Sequence, residues 1–282
     1  MIAACLKWVD RRPEVDPVDG RVATDARTAG TSDADDAALE WALRCGEAWR
    51  EPVLALTVGP DPADAVLRDA LAAGADRAVR IPTGSATTAI ASSAVAQALA
   101  SVIHEIGVTF VWCGDYSLDR GSGSVPVYLA AELGWPQALG LVEVTAAEPG
   151  HVSALRRLDG GRRERLAVHT RAVLSVEGST ARLRRASLDA ALTSRAAAVE
   201  VRTGSAVVAS EPMASTLRPF RPRARVLPAP RGTEARDRVL ALTETSTAKA
   251  HREVVTLDPP AAAERILAAL VEWGYEAPPR EP

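Results

Sequence analysis

The order of apolar runs along the chain restricts its fold more than any other feature. Residues 2–9 (IAACLKWV) are apolar and too few for a helix, so they read as a buried strand. Residues 53–58 (VLALTV), 78–81 and 108–113 (VTFVWC) read the same way. Between these runs, apolar residues return at helical spacing. Ala38, Trp41, Ala42, Cys45 and Trp49 share one face of a helix that Ser32 or Asp33 can cap. Ala63, Val66, Leu67, Ala70 and Leu71 mark a second helix. Ala91, Ala94, Val95, Ala98, Leu99, Val102 and Ile106 mark a third, and residues 125–133 a fourth. Strands alternating with helices at this spacing predict an α/β fold with a doubly wound, mostly parallel sheet. Ligands of such sheets bind beyond the carboxyl ends of the strands. Two loops of unusual composition fall there: Thr57-Val58-Gly59-Pro60 and residues 114–126.

After Gly134 the pattern changes. Residues 139–146, 152–158 and 165–176 read as antiparallel strands, with Asp159-Gly160-Gly161 turning between the last two. Residues 11–30 are polar and hold Pro13, Pro17, Gly20 and Gly30, which predicts a long loop or a small hairpin. Residues 205–232 are rich in Pro and Arg and read as an extended arm. The chain then turns helical again, with Ala262, Ile266, Ala269, Leu270 and Trp273 on one face. This pattern divides the chain into an α/β domain over 1–204 and an arm with its helix over 205–282.

A chain of 282 residues that is 47% hydrophobic can bury one substantial core. Its net charge of -3 gives no electrostatic reason to expect nucleic acid or an acidic membrane as partner. Cys5, Cys45 and Cys113 are far apart and each lies in an apolar run, so they read as buried free thiols. No charged-then-apolar signal opens the sequence, and no run approaches the roughly 18 apolar residues of a membrane helix. The expected compartment is a reduced cytoplasm.

The most informative stretch is Asp115-Tyr-Ser-Leu-Asp119-Arg120-Gly121-Ser122-Gly123-Ser124. Its small residues let the backbone come close to a ligand, and successive N–H groups at a helix start form an anion-binding concavity. Ser122 and Ser124 add hydroxyl donors and Arg120 a positive charge. The stretch reads either as a phosphate cradle for an adenine nucleotide or as a flexible Gly/Ser loop. It is no dinucleotide fingerprint, because Pro126 stands where a third glycine is wanted, and no P-loop, because the Lys-Ser/Thr pair is missing. His104, His151, His169 and His251 show no metal-ligand spacing and read as surface or strand residues, so no metal site is expected. Asp33, Asp35 and Asp36 fit ordinary dipole partners in a first helical turn. The order of residues offers no catalytic arrangement.

Several motifs, in order, resemble one known family. Cys5-Leu-Lys7-Trp-Val-Asp10 resembles the opening strand of electron transfer flavoprotein β subunits, A-V-K-R-V-x-D. Residues 36–44 resemble their E-I-A-x-E-E-A-x-R helix, and residues 66–77 their L-R-x-A-L-A-M-G-A-D-R segment. Residues 114–137 match the length of their nucleotide loop and helix without a gap. Leu158-Asp159-Gly160-Gly161 resembles their hairpin E-x-D-G-G, and Arg184-Arg185-Ala186-Ser187-Leu188 their partner-recognition segment R-Y-A-T/S-L. The similarity covers roughly residues 2–201.

The resemblance implies an adenine nucleotide α-hydrolase-like fold, and an electron carrier subunit without catalytic residues of its own. It implies a heterodimer with an α subunit that holds most of a redox FAD and exchanges electrons between donor dehydrogenases and an acceptor. It also implies an AMP, or a second FAD, in the β subunit. By alignment that nucleotide touches Cys5, Ser32, Asp33, Ala34, Asp35, Val58, Asp115, Asp119, Arg120, Gly121, Ser122, Gly123, Ser124 and Val125. Arg184 and Leu188, within a recognition segment near 177–195, face partner dehydrogenases, and the C-terminal arm and helix contact the α subunit.

Departures from the pattern are visible. The family's N-P-F/M is Ser32-Asp33-Ala34 here, the aromatic after the first strand's aspartate is Arg11, and D-D-D of the nucleotide loop is Asp119-Arg120-Gly121. The lysine cluster after the recognition segment is Ser194-Arg195-Ala196-Ala197-Ala198. The Arg- and Ala-rich composition fits a divergent actinobacterial branch, the one associated with the peptide-derived cofactor mycofactocin. Two other classes share the fold: a stand-alone adenine-nucleotide-binding module and a nucleotide-hydrolysing enzyme. The hydrolase class carries an S-G-G-x-D-S-type loop after its first strand, where this chain has Asp10-Arg11-Arg12-Pro13.

Overall fold

A computed structural model describes residues 1–83, 90–146, 149–169, 171–202, 234–236, 238–239 and 256–272. Four strands are linked by helices in strict alternation: β1 (Ile2–Cys5), α1 (Asp33–Trp49), β6 (Val53–Gly59), α2 (Asp64–Ala73), β7 (Arg77–Pro82), α3 (Ser92–Ile106) and β8 (Phe110–Gly114). The excursion between β1 and α1 carries two short antiparallel pairs, β2 (Val9–Asp10) with β5 (Ala29–Gly30) and β3 (Glu14–Val15) with β4 (Val22–Ala23). The small hairpin expected over 11–30 is therefore present.

After β8 come α4 (Val125–Leu133), β9 (Gln137–Ala146), β10 (His151–Arg157), β11 (Arg163–His169), β12 (Ala172–Val176), α5 (Leu188–Arg195) and β13 (Glu200–Val201). The main sheet has nine strands in the order β11-β10-β9-β12-β8-β1-β6-β7-β13. From β9 to β13 neighbours run parallel; only β10 and β11 are antiparallel to their partners.

One expectation fails. Residues 165–176 do not form a single antiparallel strand. The chain breaks near Arg171, whose φ of 62° is left-handed, and continues as β12, a parallel strand inside the sheet between β8 and β9. Ala-Val-Leu-Ser-Val is buried at every position, the pattern of a strand covered on both faces rather than of a half-exposed hairpin arm. β9 likewise pairs in parallel with β12 before it turns to β10; Gly140, at φ 64°, lies at the change of partner.

Two cores flank the sheet. On one side α1 and α2 cover Ile2, Phe110, Trp112 and Leu174, where Trp49 meets Phe110 edge-on at 5.2 Å and Trp41 stacks on Trp112 at 6.2 Å. On the other, α3 and α4 cover Ala3, Cys5, Leu56, Val79, Val111 and Cys113. All three cysteines are free and buried. Helices on both faces make the sheet doubly wound. The chain steps from β1 outward to β6 and β7, then returns to the other side of β1 for β8, so the strand order reverses between β1 and β8. Loops leaving those two strands diverge and open a crevice at their carboxyl ends.

The chain divides into two compact units, residues 1–220 and 221–282. In the second, α6 (Pro259–Glu272) is amphipathic, with Ile266, Leu267 and Val271 exposed. The arm expected over 205–232, and Trp273, lie outside the described residues.

Candidate functional site

Ser32 begins the site. It caps α1, its Oγ accepting from the Asp35 N–H at 3.1 Å, and its hydroxyl donates to the Tyr116 carbonyl at 3.2 Å. One side chain thus sets the start of α1 and ties it to the loop after β8. Asp35, one turn in, accepts the Lys7 N–H at 3.1 Å. A Cβ on Gly114 would lie 2.6 Å from Asp35 Oδ1, so the bare backbone there is what lets α1 close on β8. Burial pushes the Asp35 carboxyl up to about 7 against the hydrogen bonds it accepts.

Around this junction the residues named from the sequence fall into two groups. Ser32, Asp33, Ala34 and Asp115 line an open cleft of about 990 Å³ on the α1 side. Cys5, with Val58 and Val125 against it, belongs to the core on the α3/α4 side. The loop from Asp119 to Ser124 leads into α4 after that core. Lys7 Nζ reaches Asp119 at 2.6 Å, joining the end of β1 to this loop. Burial works to raise Asp119, but the Lys7 ammonium outweighs it and holds the carboxyl below its ordinary value. Arg120 donates to the Ile90 carbonyl at 2.6 Å, and the Ser122 and Ser124 hydroxyls pair at 3.0 Å.

Gly121 and Gly123 are left-handed, at φ 62° and 55°. The reason for Gly123 differs from the one composition alone offers: a Cβ there would meet the Asp115 carbonyl at 2.3 Å, so the close approach is the loop's own. Ser124 occupies the N-cap of α4 without a side-chain cap bond. The N–H groups of Val125 and Val127 are thus uncapped by any side chain (Pro126 between them has none), and the loop before them carries the Ser122 and Ser124 hydroxyls and Arg120. This donor set suits a phosphate.

The α1-side cleft also holds residues that sequence reasoning does not mark as ligands. Arg12, Arg27 and Glu177 line it with Arg11, beside Tyr116 of the loop already singled out. Arg11 reaches Asp33 at 3.4 Å, and Arg27 is held by Asp25 at 2.6 Å. Arg11 had one visible signal, its place after the first strand's aspartate. Arg27 and Glu177 had none, since the hairpin and the end of β12 bring them in from remote positions.

The segment near 177–195, expected from the resemblance to meet partners, is tied to α1. Arg184 is clamped on α1 by Glu40, Nε to Oε2 at 3.0 Å, and by Glu47. Arg44 holds the other Glu40 oxygen at 2.8 Å. Trp41 donates to the Thr180 hydroxyl at 3.3 Å. This strap leads to Ser187, which caps α5 by accepting from the Ala190 N–H at 3.1 Å. Leu188 is 76% exposed and Leu192 54% exposed, which rules out a core role for either.

Comparison with known proteins gives the family. Residues 20–209 match the model of the electron transfer flavoprotein domain. The chain belongs to the electron transfer flavoprotein family. Within that family its likeness is to β subunits. It is 32% identical over 157 residues to the electron transfer flavoprotein subunit beta of Methylophilus methylotrophus, covering 55% of this chain and 59% of that one. It is 34% identical over 126 residues to the mitochondrial subunit beta of Arabidopsis thaliana, covering 44% and 49%. To the protein FixA of Sinorhizobium fredii it is 32% identical over 217 residues, covering 74% and 75%. The match thus spans about half the length of most of these family members, and three-quarters of the FixA protein. Among the described residues no helix is long and apolar enough to cross a membrane.

Proposed function

We propose that this chain is the β-type subunit of an electron transfer flavoprotein: it holds an adenine nucleotide at the β1/β8 switch point and pairs with a flavin-bearing α-type chain. The observation that carries the reading is the loop from Asp119 to Ser124, which runs through two left-handed glycines into the uncapped start of α4. In this reading the Ser122 and Ser124 hydroxyls and the Val125 and Val127 N–H groups hold the phosphate and Arg120 supplies positive charge, while Lys7, paired with Asp119, holds the loop to the end of β1. Cys5, Val58 and Val125 give the apolar floor. The α1-side cleft, with Arg11 and Ser32, turns toward the flavin of the partner.

FAD, when bound, supplies the one- and two-electron chemistry. This chain's part is to bind, orient and exclude water. Donor dehydrogenases dock on α5 through Leu188, and the C-terminal unit wraps the α-type chain. Arg11 stands in the cleft where the family pattern has an aromatic, and Ala196-Ala197-Ala198 stand where it has lysines, which favours a partner outside the common acyl-CoA dehydrogenase set.

Co-expression with an α-type electron transfer flavoprotein chain from the same organism tests the proposal. A one-to-one yellow complex that releases AMP or FAD on denaturation, in addition to the flavin of the partner, is the expected result. A well-behaved monomer carrying stoichiometric flavin alone, or a complex that releases no second nucleotide, overturns it.

A further inference from the structure

β10 and β11 are joined through the Asp159–Gly161 turn, and their register sets His151 directly opposite His169. The two imidazoles stand with ring centroids 4.6 Å apart and planes at 78°. His169 is exposed and His151 half-buried, so both are reachable from solvent. Neither belongs to the nucleotide loop, the cleft or the recognition segment.

The separation is informative. A metal bound through nitrogen at about 2.0–2.1 Å lies about 3.2 Å from each ring centroid, so a right angle at the metal puts the centroids about 4.5 Å apart, and a tetrahedral angle about 5.2 Å. The observed spacing fits the right angle. Cis nitrogen donors at a right angle are the preference of tetragonal ions, Cu²⁺ and Ni²⁺, and Cu²⁺ binds imidazole most tightly of the first-row divalent ions. The near-perpendicular planes require one ring to swing about its terminal torsion, which is broad and soft in histidine.

We propose that His151 and His169 form a cross-strand chelate for a divalent transition ion of tetragonal preference, Cu²⁺ first. Among the described residues no group of three or more His, Cys, Asp and Glu is placed to hold a metal, so water completes the coordination. Affinity is then that of a two-imidazole chelate, well below that of a closed structural site. Bound metal would pin β10 to β11 at the outer edge of the sheet, and only the neutral imidazoles can take it.

The test uses the full chain, with its partner if the two purify together, and glycine-buffered Cu²⁺ as probe, with Ni²⁺ and Zn²⁺ for comparison. One Cu²⁺ per chain is expected, with a tetragonal electron paramagnetic resonance signal split by two nitrogens and a rise in melting temperature. His151→Gln and His169→Gln should each weaken binding at least about tenfold, and the double variant should lose both the signal and the melting shift. His104→Gln should change nothing. No uptake by the wild type, a signal that survives in the double variant, loss in only one of the single variants, or tighter binding of Zn²⁺ than of Cu²⁺ overturns the proposal.

Discussion

Asp35 is a carboxyl placed where water cannot follow it, and its titration should be readable in the stability of the whole domain. Burial raises it from 3.8 to about 7, so the folded chain holds this proton more tightly than the unfolded one. The associated stability is complete below about pH 4 and declines as pH rises toward 7. Asn keeps an acceptor for the Lys7 N–H and never ionises. Asp35→Asn should therefore lack this decline: between urea melts near pH 5 and near pH 8 the wild type should lose about 3 kcal/mol more than the variant, at about 1.4 kcal/mol per pH unit. Equal slopes would show that the carboxyl titrates normally. Gly123 makes a second residue-scale prediction. Its φ of 55° and the nearby Asp115 carbonyl forbid a side chain with or without a ligand. Gly123→Ala should cost about 1–3 kcal/mol in the ligand-free chain; a loss seen only with nucleotide present would return the glycine to a ligand role. Single residues were legible in the sequence where the physics is local. Ser32 as a cap follows from its place before a helical pattern. The arginine-lined cleft does not, because Arg27 and Glu177 come to line one cleft only through the hairpin insertion and the parallel placement of β12.

Elements were legible where their periodicity is unmixed, as with α1, which runs from the expected cap at Ser32 to Trp49, the last residue named on its apolar face. The error at 165–176 arose because β11 and β12 adjoin in sequence as two apolar-containing runs, with two residues between them and a left-handed Arg171 where the direction changes. The histidine pair was within reach: His151 and His169 stand symmetrically about Gly160, so a hairpin turned at that glycine sets them opposite. α5 shows what an element can do beyond its own residues. It has little apolar periodicity, and it rests on α2 after the strap delivers it there. Leu188→Ala should leave the melting temperature unchanged and weaken a cognate dehydrogenase by a hot-spot amount, about 2 kcal/mol or more, read as a raised Michaelis constant for the carrier. A melting drop would make Leu188 structural. Arg184→Ala should do the reverse in isolation, lowering stability by about 1–3 kcal/mol because nearly buried Glu40 loses the guanidinium and keeps only Arg44 and the backbone N–H of residue 184. An unchanged melt for that variant would show the strap to be held by Trp41 and Thr180 instead.

At the scale of the whole molecule, the doubly wound sheet and its switch point follow from the sequence, since alternation and right-handed crossovers leave few other arrangements. Alternation leaves open the position of strands made late. β12 lies between β8 and β9, although β9, β10 and β11 all precede it in the chain. A ribosome delivers the chain from its amino end, so β8 emerges long before its neighbour on that side. Until Val176 is out, Phe110, Val111 and Trp112 line an unpaired edge. The meander of β9 to β11 has no sheet to join during the same interval. Co-translational folding of this protein should therefore proceed in a late, steep step. An arrest-peptide force profile should stay low through β11 and rise only once β12 has cleared the exit tunnel. A stall between the two would leave a nascent chain with an adhesive flank, the form most in need of a chaperone.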